Sequence, residues 1–247
     1  MKKFLSVLLA LAMIFSLTVT VSADETKGEM DGYVVVLHTN DVHGAISGYA
    51  KVAALKKAYE AEGAYVLLMD AGDFCQGDPT VSVSQGKTAV ELMNMAGYDV
   101  TTLGNHEFDY GMARAKAIIK EADFPYVSCN WVDLRTGLRV LPAVKLFPAG
   151  GKWIAFVGIT TPESFTKSTP AYFMNAKQTK YIYDILGGDD GRKLYDAVQK
   201  AIDKAKTLGA DIIIGLGHLG VDPSSSPWTS EEVIAHTHGF TAFIDGH

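Results

Sequence analysis

Aspartate, asparagine and histidine recur in this sequence at short spacing beside glycine, in five separate places. The groups are Asp41-Val42-His43, Asp70-Ala71-Gly72-Asp73, Gly104-Asn105-His106-Glu107, Gly217-His218 and Asp245-Gly246-His247. Carboxylate, amide and imidazole are the oxygen and nitrogen donors that divalent cations take, and no thiolate stands among the motif residues. Each group alone is weak. Asp-x-His is commonly a polar loop, a lone histidine after a strand is commonly structural, and Gly-Asn-His-Glu can be a plain turn. Five such groups in a chain with only 7 histidines point instead to a metal centre that could activate water.

Positioning these groups falls to the short apolar runs that precede them. Residues 33–37, 65–69, 99–103, 211–216 and 240–244 read as strands, the first two and 211–216 as buried ones. Helical spacing predicts helices over 48–62, 87–96, 112–122, 193–208 and 230–237, with Leu194, Val198, Ile202 and Ala205 making the clearest stripe. Residues 126–130 read as a further strand. Runs 138–147 and 153–160, joined through Ala149-Gly150-Gly151, read as an antiparallel hairpin. Residues 161–191 lack a clear period and read as a long surface connection. Alternating strands and helices make this an α/β fold with a largely parallel core, and the hairpin makes the sheet mixed. In such sheets the carboxyl ends of the strands face one crevice, so groups far apart in sequence can converge there.

The 247 residues are 48% hydrophobic and 20% charged, which are globular proportions. Lys and Arg number 22 against 28 Asp and Glu, a net charge of −6 with no basic block, so a nucleic-acid polymer is excluded as partner. Lys2 and Lys3, the apolar run 4–21 and the small residues of Val21-Ser22-Ala23 have the layout of a secretory signal peptide over residues 1–23. An uncleaved anchor is the alternative for a run of this length. Ser6, Ser16, Thr18 and Thr20 interrupt the run and favour cleavage, leaving no stable membrane insertion. The protein is therefore expected to be secreted, periplasmic or at the cell surface. There Cys75 and Cys129 could pair, and their spacing leaves the pairing open.

Asp41-x-His43, Gly72-Asp73, Gly104-Asn105-His106-Glu107, Gly217-His218 and Gly246-His247 resemble, in order, the motifs of calcineurin-like metallophosphoesterases. Leu37-His38-Thr39-Asn40-Asp41 and Asn105-His106-Glu107-Phe108-Asp109-Tyr110-Gly111 resemble secreted 5'-nucleotidases in particular. That group includes bifunctional UDP-sugar hydrolases and 2',3'-cyclic-nucleotide phosphodiesterases. The resemblance covers residues 33–247 and implies a four-layer α/β/β/α sandwich of the metallophosphoesterase type. It implies two divalent ions (Zn, Mn, Co or Fe), one held by Asp41, His43 and Asp73, the other by Asp73, Asn105, His218 and His247. A shared carboxylate keeps such ions about 3.5–4 Å apart, and water bound there becomes the hydroxide that attacks phosphorus. His106 would face the phosphoryl group, stabilising charge or protonating the leaving oxygen, with Asp109 orienting its ring. A helix cap near Met112 is the other reading of Asp109.

The expected substrate is a small-molecule nucleotide, a nucleoside 5'-monophosphate first, with UDP-sugar and cyclic-nucleotide hydrolysis as rivals. A non-catalytic metal- or nucleotide-binding module is the reading from another class. The family motif continues past Gly246-His247 with a second histidine or glutamine two residues on. Residues 24–247 are accordingly expected to be an N-terminal domain truncated at its C-terminal end, without the substrate-binding domain. Of the remaining residues, His38 is expected in the core or behind the site, and His236 and His238 on the surface. Cys75 is not required as a ligand. Trp131 and Trp153 are packing or rim residues, and Trp228 could touch substrate.

Overall fold

The computed structural model describes residues 28–247, so the expected signal segment lies outside the described residues. In chain order the strands are β1 (Val34–Thr39), β2 (Tyr65–Asp70), β3 (Val100–Thr101), β4 (Trp131–Asp133) and β5 (Leu138–Arg139). They continue with β6 (Val144–Ala149), β7 (Lys152–Thr160), β8 (Tyr183–Ile185), β9 (Ile212–His218) and β10 (Ala242–Ile244). The helices are α1 (Ser47–Ala61), α2 (Pro79–Ser82), α3 (Lys87–Ala96), α4 (Met112–Glu121), α5 (Ser164–Lys167), α6 (Arg192–Thr207) and α7 (Ser230–His236).

Two sheets lie face to face. The first is parallel, in the order β1-β2-β3, and the second runs β10-β9-β7-β6 with only β6 antiparallel to its neighbour. Side-chain alternation along β2 and β7 defines the layers, because successive residues of a strand point to opposite faces. Leu68 packs with Tyr49, Val90, Met93 and Ile118 of the helices α1, α3 and α4. Its neighbours Leu67 and Met69 pack instead with Ile154, Phe156, Ile214 and Leu216 of the opposing sheet. On β7, Ala155, Val157 and Ile159 turn outward to Leu194, Val198 and Ile202 of α6. The order is helix, sheet, sheet, helix, the four-layer α/β/β/α arrangement. Ala149 pairs with Lys152, so Gly150 and Gly151 alone make the β6–β7 turn, and both have the positive φ that a two-residue hairpin of this kind demands.

Several expectations are corrected. Residues 126–130 form no regular strand: Thr101 and Tyr126 make a single parallel bridge, and the chain then leaves the first sheet for the second. Val127 N–H donates to Thr101 O at 2.9 Å, whereas Cys129 N–H donates to Gly158 O at 2.7 Å. A segment serving two sheets cannot stay in one ladder. The run 138–147 is split at Leu141-Pro142-Ala143, where proline has no N–H to give. Residues 161–191 are not a surface connection. Phe173 is fully buried against Phe108 and Phe165, and β8 pairs with β4 in a third sheet ordered β5-β4-β8.

β1 is half-buried rather than buried, being an edge strand, and His38 on it is exposed rather than in the core. Cys75 and Cys129 are unpaired and sit in different core clusters on the two sides of the sandwich. Trp131 is buried, Trp153 is half exposed, and His236 and His238 are exposed. Trp228 donates its indole N–H to Gly188 O at 2.9 Å and packs at the edge of the α6 core. No helix among the described residues is long and apolar enough to cross a membrane.

Candidate metal centre

The five motif groups all lie where strands of the two inner sheets run out. His218 is the last residue of β9, and Asp41, Asp73, Asn105 and His247 follow β1, β2, β3 and β10 within a few residues. The β1 and β2 loops are tied together by Asp41 N–H to Gly72 O and His43 N–H to Asp73 O, each 3.0 Å. Gly72 and Gly104 meet so closely that a Cβ on Gly72 would collide with the Gly104 backbone, and one on Gly104 with the Asp73 carboxylate. Among the described residues, six other than glycine have positive φ, and four of them are Asp41, His43, Asp73 and His247. Such conformations cost on the order of 1–3 kcal/mol each and persist where surrounding structure enforces them. Here they turn four donor side chains into one crevice.

Asp73 is the meeting point. Its Oδ2 lies 2.9 Å from His218 Nε2 and 4.0 Å from His43 Nε2, and its Oδ1 accepts the backbone N–H of His106 at 2.9 Å. Asp41 Oδ1 is 3.9 Å from Nε2 of both His43 and His218. Ligand atoms of His43, Asp73 and His106 fall within 4.8 Å of one another, as do those of Asp73, His218 and His247. Asp73 thus belongs to both clusters. Asn105 is buried beside them, with its Oδ1 accepting no hydrogen bond.

His218 tests whether these residues suit cations. Its Nδ1 lies 2.7 Å from Ala71 O, and a carbonyl can only accept, so the proton is on Nδ1. Nε2 is fully buried 2.9 Å from a carboxylate oxygen, to which it can donate only if the ring takes up a second proton. Burial opposes charge on the ring, but the hydrogen bond and charge of Asp73 outweigh it and push His218 up to about 9. Burial likewise works against the Asp73 carboxylate, which His218 and the His106 N–H nevertheless hold below the usual range. Positive charge is what these atoms require. A divalent cation would supply it and leave the imidazole neutral, and the buried Asn105 oxygen has no other partner, so the donor set fits such ions.

His106 and His247 differ in a way that separates their chemistry. His106 Nδ1 is 2.6 Å from Asp109 Oδ2. That bond raises the His106 pKa against the effect of burial, with the Asp73 charge adding to it. Asp109 is no helix cap, since α4 begins after Gly111 with no side-chain cap. His247 is pushed the other way, first by burial and then by the nearby His218, which favours the neutral ring a cation needs. Its Nε2 is 2.8 Å from Glu163 Oε2, and its backbone N–H donates to Asp41 at 3.0 and 3.2 Å.

Of the site residues read from the sequence, His43, Asp73, His106, His218 and His247 fall in the two clusters. Asp41 lies in neither but stands 3.9 Å from two of their imidazoles. Asn105 is buried next to His106 in the chain, and Asp109 is bonded to His106. Sequence reasoning missed the carboxylates behind them. Glu107 is buried and accepts N–H bonds from Asp73 (2.9 Å), Gly104 (2.6 Å), Phe74 (3.0 Å) and Cys75 (3.3 Å), clamping the β2 loop to the β3 loop. Burial and the Asp73 charge push its pKa up against the pull of those donors. Asp70, also buried, takes the Thr39 hydroxyl at 2.6 Å and the Gly72 N–H at 2.8 Å, and burial still pushes it up to about 8. Both stand inside motif strings, which was the available signal. Glu163 stands in the stretch taken for a surface connection and gave none. A cleft of about 250 Å³ lined by Asp41, Asp245, Gly246 and His247 opens onto the site. A cavity of about 370 Å³ between β5 and α6 contains none of these groups.

Residues 34–247 match the calcineurin-like phosphoesterase family. The snake venom 5'-nucleotidase of Gloydius brevicauda is 29% identical over 236 residues, which cover 87% of this chain and 36% of that protein. The 5'-nucleotidase of Vibrio cholerae is 30% identical over 226 residues, covering 86% and 38%. Among solved structures, a 5'-nucleotidase precursor from Thermus thermophilus superposes with a TM-score of 0.68 at 26% identity, covering 86% of this chain and 41% of that one. The chain spans little more than a third of each of these two curated relatives.

Proposed function

The chain belongs to the calcineurin-like phosphoesterase family, and from that premise we propose that it carries the metal centre of a secreted phosphohydrolase releasing phosphate from nucleoside 5'-monophosphates. The observation that carries this reading is the sharing of one buried carboxylate, Asp73, by two clusters of donors. Asp41, His43 and Asp73 hold one divalent ion, and Asp73, Asn105, His218 and His247 the other. The named relatives supply the substrate class, and the segment 1–23 supplies export. Zn, Mn, Co and Fe all suit the oxygen and nitrogen donors.

Two bound cations polarise a phosphoryl oxygen and bring the pKa of water towards neutrality. The residues do the rest. Asp73 and Asp41 balance part of the cationic charge, so an acidic protein still offers a phosphate ester a positive crevice. His106 donates its Nδ1–H to Asp109, which leaves Nε2 as the atom that faces the substrate. Because Asp109 raises its pKa, His106 carries a second proton at neutral pH more readily than a free imidazole does. That protonated ring is a donor to the leaving oxygen rather than a cation ligand, although it stands within reach of His43 and Asp73.

The test is phosphate release by the full-length protein from AMP, UDP-glucose, a 2',3'-cyclic nucleotide and an aryl phosphate, with and without added Mn²⁺ or Zn²⁺. AMP should be the best substrate and should require the cation. Preference for UDP-glucose or the cyclic nucleotide would move the activity within the class. No turnover on any of them would favour a non-catalytic binding module.

A further inference from the structure

Glu163 follows β7 and links the loops that follow β9 and β10. Its Oε2 accepts the hydroxyl of Ser225, from the turn after β9, at 2.7 Å. The same oxygen lies 2.8 Å from His247 Nε2, after β10. The Glu163 and His247 side chains are 12% and 8% exposed, so water does not compete freely for either.

We propose that Glu163 is a positioning residue that selects the Nε2–H form of His247 and thereby presents the Nδ1 lone pair to a divalent cation. The inference rests on the reading that His247 holds a cation.

The argument is one of hydrogen-bond valence. Nε2 has a single hydrogen-bonding position, and two groups compete for it: Glu163 Oε2 at 2.8 Å and Lys167 Nζ at 3.0 Å. An ammonium can only donate, so Lys167 could bond Nε2 only if that nitrogen were unprotonated. The lone pair would then also face a carboxylate oxygen at 2.8 Å, which is repulsive. With the proton on Nε2 the carboxylate is satisfied, and Lys167 pairs with Glu163 Oε2 at 3.6 Å. That tautomer satisfies the carboxylate, which makes the shorter contact, and leaves Nδ1 unprotonated, while the ammonium 3.0 Å from Nε2 must turn its protons to Glu163. The backbone of His247 is held separately by its N–H on Asp41, so Glu163 controls the ring and Asp41 the main chain. Carboxylates placed behind metal-binding imidazoles fix ring orientation and typically account for about 10–100-fold in metal affinity.

The experiment is calorimetric titration of the metal-free, full-length protein with Mn²⁺, for wild type, Glu163→Ala, Glu163→Gln and Lys167→Met. Wild type should bind two ions. Glu163→Ala should weaken one of them by about 10–100-fold and leave the other unchanged. Glu163→Gln, whose amide oxygen can still accept Nε2–H, should recover most of the loss, and Lys167→Met should change neither ion. Unchanged binding of both ions by Glu163→Ala would overturn the inference, as would equal weakening of both with a lowered Tm. Wild type that binds no Mn²⁺ would defeat the underlying reading and the inference with it, an outcome distinct from the other two. A long-range ¹H–¹⁵N spectrum of the metal-free wild type gives an answer that does not depend on any variant folding. His247 should be protonated at Nε2, and protonation at Nδ1 alone would overturn the proposal.

Discussion

A carboxylate oxygen and an unprotonated imidazole nitrogen 2.9 Å apart, both out of water, repel unless a proton or a cation lies between them. Asp73 and His218 are such a pair, and Asp73 also serves the second cluster. Asp73→Asn keeps an oxygen for the His106 N–H but removes the shared charge. It should lose both ions and lower kcat by more than the roughly 10–100-fold typical of an outer partner; metal analysis and steady-state kinetics check this together. Asp109→Asn acts on the proton instead. Asp109 raises the His106 pKa, so the variant should have a lower one. If the protonated ring is the acid, activity falls as pH rises through that pKa. The alkaline limb of the kcat profile should therefore move to lower pH, with kcat down about 10–100-fold and metal content intact. An unmoved limb would remove His106 from the role of acid.

The loops after the strands are the elements that make the site, and Glu107 holds two of them. Replacing it by alanine strands four buried N–H groups, each worth about 1–3 kcal/mol when left unpaired, although water entering the gap will recover part. Glu107→Ala should lower unfolding free energy by more than about 3 kcal/mol in urea titration. Gly104→Ala should leave the helices intact yet displace the Asp73 carboxylate, weakening metal binding without a comparable loss of helical signal. At this scale the sequence was legible where the residue type was scarce. Histidines and aspartates beside glycine marked the strand ends, and α3 has the bounds its apolar spacing predicts. It was illegible where tertiary partners decide. β4, β5 and β8 have two or three residues each, too short for a period of two to register. Phe173 is buried by Phe108 and Phe165, which lie 65 and 8 residues away in sequence. Glu163 became visible as part of the site only once that same stretch was folded back.

Across the molecule the centre is assembled from both halves of the sandwich. Asp41, His43, Asp73, Asn105 and His106 come from the first sheet, and His218 and His247 from the second. The apolar layer between them, with Phe156 at 0% exposure, sets their separation. Phe156→Ala should cost about 3–5 kcal/mol of stability, read from urea titration. Because cations at this seam bind the folded chain, stripping them with a chelator should lower Tm. A site with its ion at about a hundred times Kd contributes about 2.7 kcal/mol, and Mn²⁺ should restore the loss. The most direct measurement is an anomalous difference map from crystals of the full-length protein grown with Mn²⁺. It should hold two peaks about 3.5–4 Å apart, one on each side of the Asp73 carboxylate. A single peak, or none at Asp73, would contradict the two-cation centre.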